Sequence, residues 1–372
     1  MIIRGAKVWG EKAFVRRDVC TEGIYISSRG GGVVLQRPES YAIPGLIDIH
    51  THGCMGLDYT ACSAEDMRAA AEYEASRGVT ALCPATLTLP EETLGKACGE
   101  IARASSPRGA AIVGINMEGP FISPRRLGAQ NPDYVRRPDI SLFRALQRAS
   151  GGMIKLLDIA PELEGAMEVI EEASREAVVS IAHTAAGYEI ASEAFARGAS
   201  HVTHLYNAMP PLHHREPGVV GAAFDAPGVR VELICDGVHV HPSVVRATFR
   251  MFGEDRVVMV SDSMMAAGLA DGEYELGGMP VRVSDNRAVL VRDGAIAGSV
   301  TDLMGCMVTA VKDMGIPLHA AVKCASYNPA AALGISAERG SLEPGRTADI
   351  VILDEALNVT DVILRGEHIV VK

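Results

Sequence analysis

Ile43-Pro-Gly-Leu-Ile-Asp-Ile-His-Thr-His52 is an apolar run that closes on two histidines. The same pattern recurs along the chain. Ala111-Ile-Val-Gly-Ile-Asn-Met-Glu118 closes on a carboxylate, Val178-Val-Ser-Ile-Ala-His183 and His201-Val-Thr-His204 close on imidazoles, and Val257-Val-Met-Val-Ser-Asp262 closes on a second carboxylate. Strands buried on both faces of a parallel sheet read as continuous apolar runs. In a (β/α)8 barrel the C-terminal ends of such strands converge on one face, where catalytic residues collect. Polar residues repeatedly placed at strand ends therefore predict a hydrolytic metal site at the mouth of a barrel.

Working outward, strand-like runs alternate with helical patterns, as a parallel α/β fold requires. The eight runs are 44–50, 79–86, 111–118, 153–160, 177–183, 199–204, 229–235 and 256–262. Ser63, with Asp66 three residues on, predicts the capped start of the first helix, and Gly78 its stop. No Gly-x-Gly-x-x-Gly follows any run. Glu273 to Ala295 breaks the rhythm and reads as an inserted β-hairpin region. Short β segments fill both ends: Met1 to Trp9, Phe14 to Val19, Gly23 to Ser27 and Gly32 to Leu35, then 349–354, 359–364 and His368 to Val371. The expected architecture is an α/β (β/α)8 TIM barrel, residues 44–339, with a small β-sandwich domain built from both chain termini, residues 1–43 and 340–372. The simpler alternative is that each end decorates the barrel separately.

Composition narrows the function. The 372 residues are 48% hydrophobic and carry a formal net charge of −11, which argues against nucleic-acid binding, since that needs a basic face. It leaves room for a small anionic substrate, because a few arginines and backbone N–H groups suffice for one phosphate. No run is long and apolar enough for a transmembrane helix, and the first residues lack a signal-peptide layout. Eight cysteines without a Cys-x-x-Cys read as reduced thiols, so the expected location is cytoplasmic.

The strand-end residues suit amide hydrolysis. Side chains alternate along a strand, so His50 and His52 share a face and can grip one divalent ion through ring nitrogens. Such an ion lowers the pKa of water towards ~7. A neighbouring carboxylate can take the proton and pass it to a leaving amine. A helix-capping role for Asp262, core-histidine roles for His183 and His204, and a solvated-loop role for Glu118 are the purely structural alternatives.

Pro44-Gly-Leu-Ile-Asp-Ile-His-Thr-His-Gly53 resembles the opening signature of the amidohydrolase superfamily. Met117-Glu-Gly-Pro-Phe, His183-Thr, Thr203-His-Leu-Tyr-Asn-Ala-Met-Pro, Arg215-Glu-Pro-Gly, Asp236-Gly-Val-His-Val, Ser261-Asp-Ser-Met-Met-Ala-Ala-Gly, Gly298-Ser and Gly345-Arg-Thr-Ala-Asp-Ile-Val follow in order. Together they resemble the N-acetylglucosamine-6-phosphate deacetylase family over nearly the whole chain. The resemblance implies metal ligands at Glu118, His183 and His204, and a second metal at His50 and His52 with Glu118 between the two sites. One or two divalent ions are expected, Zn2+ first and otherwise Fe2+, Co2+ or Mn2+. It implies Asp262 as acid–base, and Asn207 and Ala208 backbone N–H groups with Arg215 for the phosphate. His239 would contact the sugar phosphate or hydroxyls, and Gln130 the reacting amide. His213 and His214 read as solvated loop residues. The implied reaction releases acetate from an N-acetyl-amino-sugar 6-phosphate, in a homodimer with no nucleic-acid or membrane partner.

This chain departs from the family pattern at Asn116 and Gln130, where histidines are usual. Gln130 can still donate a neutral hydrogen bond, but it cannot titrate. Cys54 reads as a buried thiol rather than a ligand. Three other functions compete: deacetylation of the galactosamine epimer, a cyclic-amide or dipeptide hydrolase using a carbamylated Lys155, and a non-catalytic scaffold on the same fold.

Overall fold

The computed structural model describes residues 1–369 and residue 371. Its centre is a ring of eight parallel strands: β1 (Leu46–Thr51), β2 (Val79–Pro84), β3 (Ile115–Met117), β4 (Ile154–Ile159), β5 (Val178–Ile181), β6 (Ala199–Val202), β7 (Arg230–Ile234) and β8 (Val257–Val260). Each lies inside a run singled out by apolar continuity or overlaps it closely. A helix follows each strand, the first being Ala64–Ser76 with its Ser63–Asp66 capping box in place. Leu82, Leu157, Leu233 and Met259 from the strands are buried in one apolar cluster with Met67, Leu94, Ile170 and Val245 from the helices.

The third run is interrupted. Residues 111–112 pair with β2, whereas residues 115–117 pair with β4. Gly114 sits at the break, where a Cβ would come within 2.6 Å of Lys155 Cγ. Thr86 N–H donates to the Asn116 carbonyl at 2.8 Å and bridges the gap. Closure of the ring occurs at the predicted functional residues themselves. Asp262 N–H donates to the His50 carbonyl at 2.9 Å, and His52 N–H donates to the Ser263 carbonyl at 2.7 Å. The seam between the first and last strands thus brings residues 50–52 and 262 together.

Strands from both termini form two further sheets. A four-stranded sheet joins residues 25–27, 19–22, 2–4 and 34–36, and a six-stranded sheet runs 367–369, 359–364, 350–353, 41–44, 7–9 and 14–16. Alternation assigns the faces of the larger sheet. Ile350, Ile352 and Ile363 share a core with Ile3, Val19 and Ile26, while Val351, Leu353 and Val362 join the barrel-side cluster with Ile43 and Trp9. The first run, Met1 to Trp9, is two strands in different sheets, because Gly5 turns the chain at φ +78°. The final strand is Glu367–Ile369, and residues 370 and 372 of the expected terminal unit lie outside the described residues. The inserted segment is a three-stranded antiparallel sheet, Gly272–Leu276, Met279–Ser284 and Arg287–Leu290, with Leu276, Val281, Val283 and Leu290 buried against Leu87 and Met264. No helix among the described residues is long and apolar enough to cross a membrane.

Ion pairs tie the two terminal segments together, the one with the most buried carboxylate being at Asp361. The Arg37 guanidinium meets Asp361 through two bonds, Nε to Oδ2 at 2.8 Å and Nη2 to Oδ1 at 2.6 Å. Burial alone would raise the Asp361 pKa, but the bonds from Arg37 and Thr360 and the charges of Arg37 and His368 together outweigh it, and the carboxyl titrates below its usual range. A depressed carboxylate stabilises the fold above the unfolded pKa of ~4 and loses that contribution as pH falls through the folded value. Arg37→Ala is therefore expected to lower unfolding free energy by about 1–3 kcal/mol at pH 7, the lower end reflecting the partial exposure of Arg37. The deficit should shrink as pH drops towards 3 in urea titrations. A deficit of equal size at both pH values would contradict the role of the pair.

Candidate metal centre

Six side chains meet at the C-terminal mouth of the ring. His50 lies at the end of β1, His52 one residue past it, and Glu118 one residue past β3. His183, His204 and Asp262 each stand two residues beyond β5, β6 and β8. All three have left-handed backbone, with φ of +40°, +29° and +48°. Non-glycine residues pay for this conformation, and it persists where the surroundings over-determine it, as at functional sites. Gly128 approaches His183 so closely that a Cβ would lie 3.1 Å from its Cε1, at a φ of +57°.

Glu118 is the hub. Its Oε1 lies 3.0 Å from His183 Nε2, 3.1 Å from His204 Nε2 and 3.5 Å from His50 Nε2. Its Oε2 lies 3.2 Å from His52 Nε2 and accepts from Gln130 Nε2 at 2.6 Å. Asp262 Oδ1 is 3.2 Å from His52 Nε2 and 3.7 Å from His50 Nε2. Two trios offer one ligand atom each within 4.8 Å of one another: His50, His52 and Glu118, and Glu118, His183 and His204.

The ring nitrogens show what this arrangement can hold. His183 Nδ1 lies 3.0 Å from the Arg126 carbonyl, which only accepts, so Nδ1 carries the proton and the neutral ring presents a lone pair at Nε2. His50 Nδ1 donates to Glu232 Oε2 at 2.9 Å, and its buried Nε2 has no hydrogen-bond partner. His183 and His204 point their Nε2 atoms at each other across 3.1 Å. Lone pairs and carboxylate oxygens converging on the same points repel unless positive charge lies between them. Imidazole nitrogens with a carboxylate, one ring of each trio (His50 and His183) being held from behind, fit a divalent cation in either trio.

The electrostatics show the same demand for positive charge among these carboxylates, met by protons on the imidazoles when no cation meets it. Burial disfavours the charged form of His50, but Glu232 and then Glu118 outweigh it and raise its pKa well above the ordinary value. His52, opposed by burial and favoured by Glu118 and Asp262, is pushed up to about 9. Burial would raise Glu118, yet His50 and His52 hold it well below the carboxylate range. Asp262 is likewise lowered against burial, by its bond to His52 and the charges of His50 and His52. Both carboxylates are anionic at neutral pH.

His52, Glu118, His183, His204 and Asp262 floor a cavity of about 250 Å³, whose walls include Gln130, Asn207, Ala208 and His239, with Leu276 and Ile296 from the inserted segment and its flank. His239 Nδ1 donates to Asp236 Oδ2 at 2.7 Å, which aims the ring, while Asp236 Oδ1 accepts the backbone N–H groups of residues 238 and 239. Gln130 lines the cavity with part of its amide already engaged. Thr88 N–H donates to its Oε1 at 2.7 Å and its amide donates to Glu118, so one of its two donors is committed to the hub. The Asn207 backbone N–H, expected at the phosphate, is engaged as well: it donates to the His204 carbonyl at 2.9 Å and closes a turn. Ala208 N–H has no partner among the described residues.

Arg215 is not brought into this cavity. It is exposed, donates to His214 Nε2 at 2.7 Å, and lines a separate hollow of about 540 Å³ with Tyr188, Pro210, Pro211 and Pro217. Lys155 is the second residue of β4, at the end remote from the site, which removes the basis for a carbamylated bridge. Cys54 is fully buried, accepts from Tyr59 OH at 3.5 Å and belongs to neither trio. All eight cysteines are free. Sequence reasoning overlooked Glu232 and gave no role to Asp236. Glu232 did leave a signal, as the one charge inside the apolar stretch Val231 to Cys235.

The family described as "Amidohydrolase family" matches residues 41–369. N-acetylglucosamine-6-phosphate deacetylase of Bacillus subtilis (strain 168) is 37% identical over 349 residues, covering 89% of this chain and 85% of that protein. N-acetylgalactosamine-6-phosphate deacetylase of Escherichia coli O157:H7 is 34% identical over 337 residues, covering 90% and 89%. Among solved structures, a variant of the Mycobacterium smegmatis N-acetyl-D-glucosamine-6-phosphate deacetylase, in complex with N-acetyl-D-glucosamine-6-phosphate, superimposes with a TM-score of 0.93 at 32% identity, over 100% of this chain and 99% of that one.

Proposed function

Because the chain belongs to the amidohydrolase family, within its N-acetylglucosamine-6-phosphate deacetylases, we propose that it hydrolyses the acetamide of N-acetylglucosamine 6-phosphate to glucosamine 6-phosphate and acetate. The observation that carries this reading is Glu118, shared by two imidazole pairs, with the Asp262 carboxylate 3.2 Å from His52 in the wall of the same cavity. The ligands would be His50, His52 and Glu118 for one ion and Glu118, His183 and His204 for the other. We favour Zn2+, with Fe2+, Co2+ and Mn2+ as alternatives of similar ligand preference. A bound divalent ion supplies an acidified water and a Lewis acid for the acetamide carbonyl.

The chain supplies the rest. Asp262, anionic at neutral pH, takes a proton from the attacking water as its oxygen bonds to the acetamide carbon. It then delivers that proton to the nitrogen as the C–N bond breaks, so acetate and a free amine leave. Gln130 keeps Glu118 in register, with its remaining amide hydrogen available to the carbonyl. His239, aimed by Asp236, addresses the sugar phosphate or hydroxyls. The unpartnered N–H of Ala208 serves the phosphate, while the Asn207 N–H, already bonded, contributes by shaping that turn.

Arg215 stands outside its own cavity, on an exposed loop face that includes Leu212 at 46%. We read this face as the contact between two copies in a homodimer, with Arg215 reaching the phosphate held by the second copy. A cytoplasmic location is supported by eight free thiols. The division into 1–43 with 340–372 and 44–339 is supported by the separate core around Ile3, Ile26 and Ile350, although the strand 41–44 crosses it.

The test is acetate release from N-acetylglucosamine, its 6-phosphate and the galactosamine 6-phosphate epimer after Zn2+ reconstitution. The gluco 6-phosphate should give the highest kcat/KM, and Arg215→Ala should raise KM for phosphorylated sugars only. Preference for the unphosphorylated sugar would overturn the assignment.

A further inference from the structure

Glu232 sits in the middle of β7 with no exposed surface and does not line the cavity. An ionisable side chain in an apolar strand carries a desolvation cost that only well-placed donors offset. One oxygen, Oε2, receives two of them: His50 Nδ1–H at 2.9 Å and the backbone N–H of His204 at 3.0 Å. Those donors belong to different trios. The main chain adds to the hold, since Leu205 N–H donates to the Glu232 carbonyl at 2.9 Å. Glu232 therefore grips the left-handed turn at His204 by side chain and backbone together, while fixing the ring of His50.

We infer that Glu232 is a positioning residue that couples the two metal trios, holding the His50 ring at Nδ1 so that Nε2 is the atom turned towards Glu118, and setting the turn that aims His204. The inference rests on reading the trios as metal ligands. Its consequence is specific. The ring of His50 is oriented by a bond to the Glu232 carboxylate, whereas His204 depends on Glu232 only for backbone placement. Loss of the charge should fall first on the trio of His50, His52 and Glu118.

The test is Zn2+ titration of the full-length chelator-treated protein by calorimetry, with the melting temperature of the metal-free form measured alongside. The parent should bind two ions. Glu232→Gln, nearly isosteric, should melt within a few degrees of the parent, bind one ion as the parent does, and bind the other roughly 10–100-fold more weakly, the usual effect of losing an outer hydrogen-bond partner. Glu232→Asp keeps the charge but retracts it by one methylene, and it should weaken the same ion; it also serves if the Gln variant does not fold. A parent that binds two ions while both variants match its two affinities overturns this inference alone. A parent that binds none overturns the metal reading and this inference with it.

Discussion

Asp262→Asn is expected to lower kcat for acetate release by roughly 10²–10⁴-fold, the range for loss of a general acid–base. The substitution keeps shape and one accepting oxygen, so its contact with His52 at 3.2 Å can persist. What disappears is the capacity to take a proton from water and return it to nitrogen. Asp262 belongs to neither ligand trio, so metal content and KM should stay near the parent values. That pattern, a fall in kcat with binding preserved, identifies an interaction made in the transition state. Steady-state acetate release with metal content measured on the same sample decides it. An unchanged kcat would remove Asp262 from the chemistry, and lost metal would make it a ligand instead.

Glu118→Gln should be at least as damaging, for a different reason. Glu118 is the only residue common to both trios, and a neutral amide in its place weakens both ions at once. If each ion loses at least the ~10–100-fold that an outer partner is worth, the combined loss at a fixed low Zn2+ concentration is about 10²–10⁴-fold. Excess metal should recover part of the activity, whereas Asp262→Asn should not respond to metal. Activity measured against Zn2+ concentration for the two variants separates a ligand from a proton carrier. Identical metal response in both would contradict the division of roles.

Much of this was legible because a parallel barrel writes itself as apolar runs that end at the active face. His50, His52, Glu118, His183, His204 and Asp262 could be singled out by position alone, and the structure gathers all six. Other features needed three dimensions. Glu232 lies inside a run rather than at its end, and only the pairing of β6 with β7 shows it facing His50 and His204. The Asn207 N–H is spent on the His204 carbonyl because of a turn whose left-handed residues, including Tyr206 and Ala208, are not glycine. Gln130 lines the cavity, yet its partner, Glu118, follows from the orientation imposed by Thr88 N–H. Arg215 lies in a proline-rich loop without periodicity, so no residue pattern marks its path away from the cavity. Gly5, a single residue, split the first expected strand between two sheets.

Anomalous diffraction from crystals of the Zn2+-reconstituted protein tests the proposed centre most directly. The expected result is two peaks flanking the Glu118 carboxylate, one within about 2.0–2.2 Å of His183 and His204 Nε2 and one at similar distances from His50 and His52 Nε2. Peaks only elsewhere, or Glu118, His183 and His204 sharing no ion at full metal loading, would contradict it.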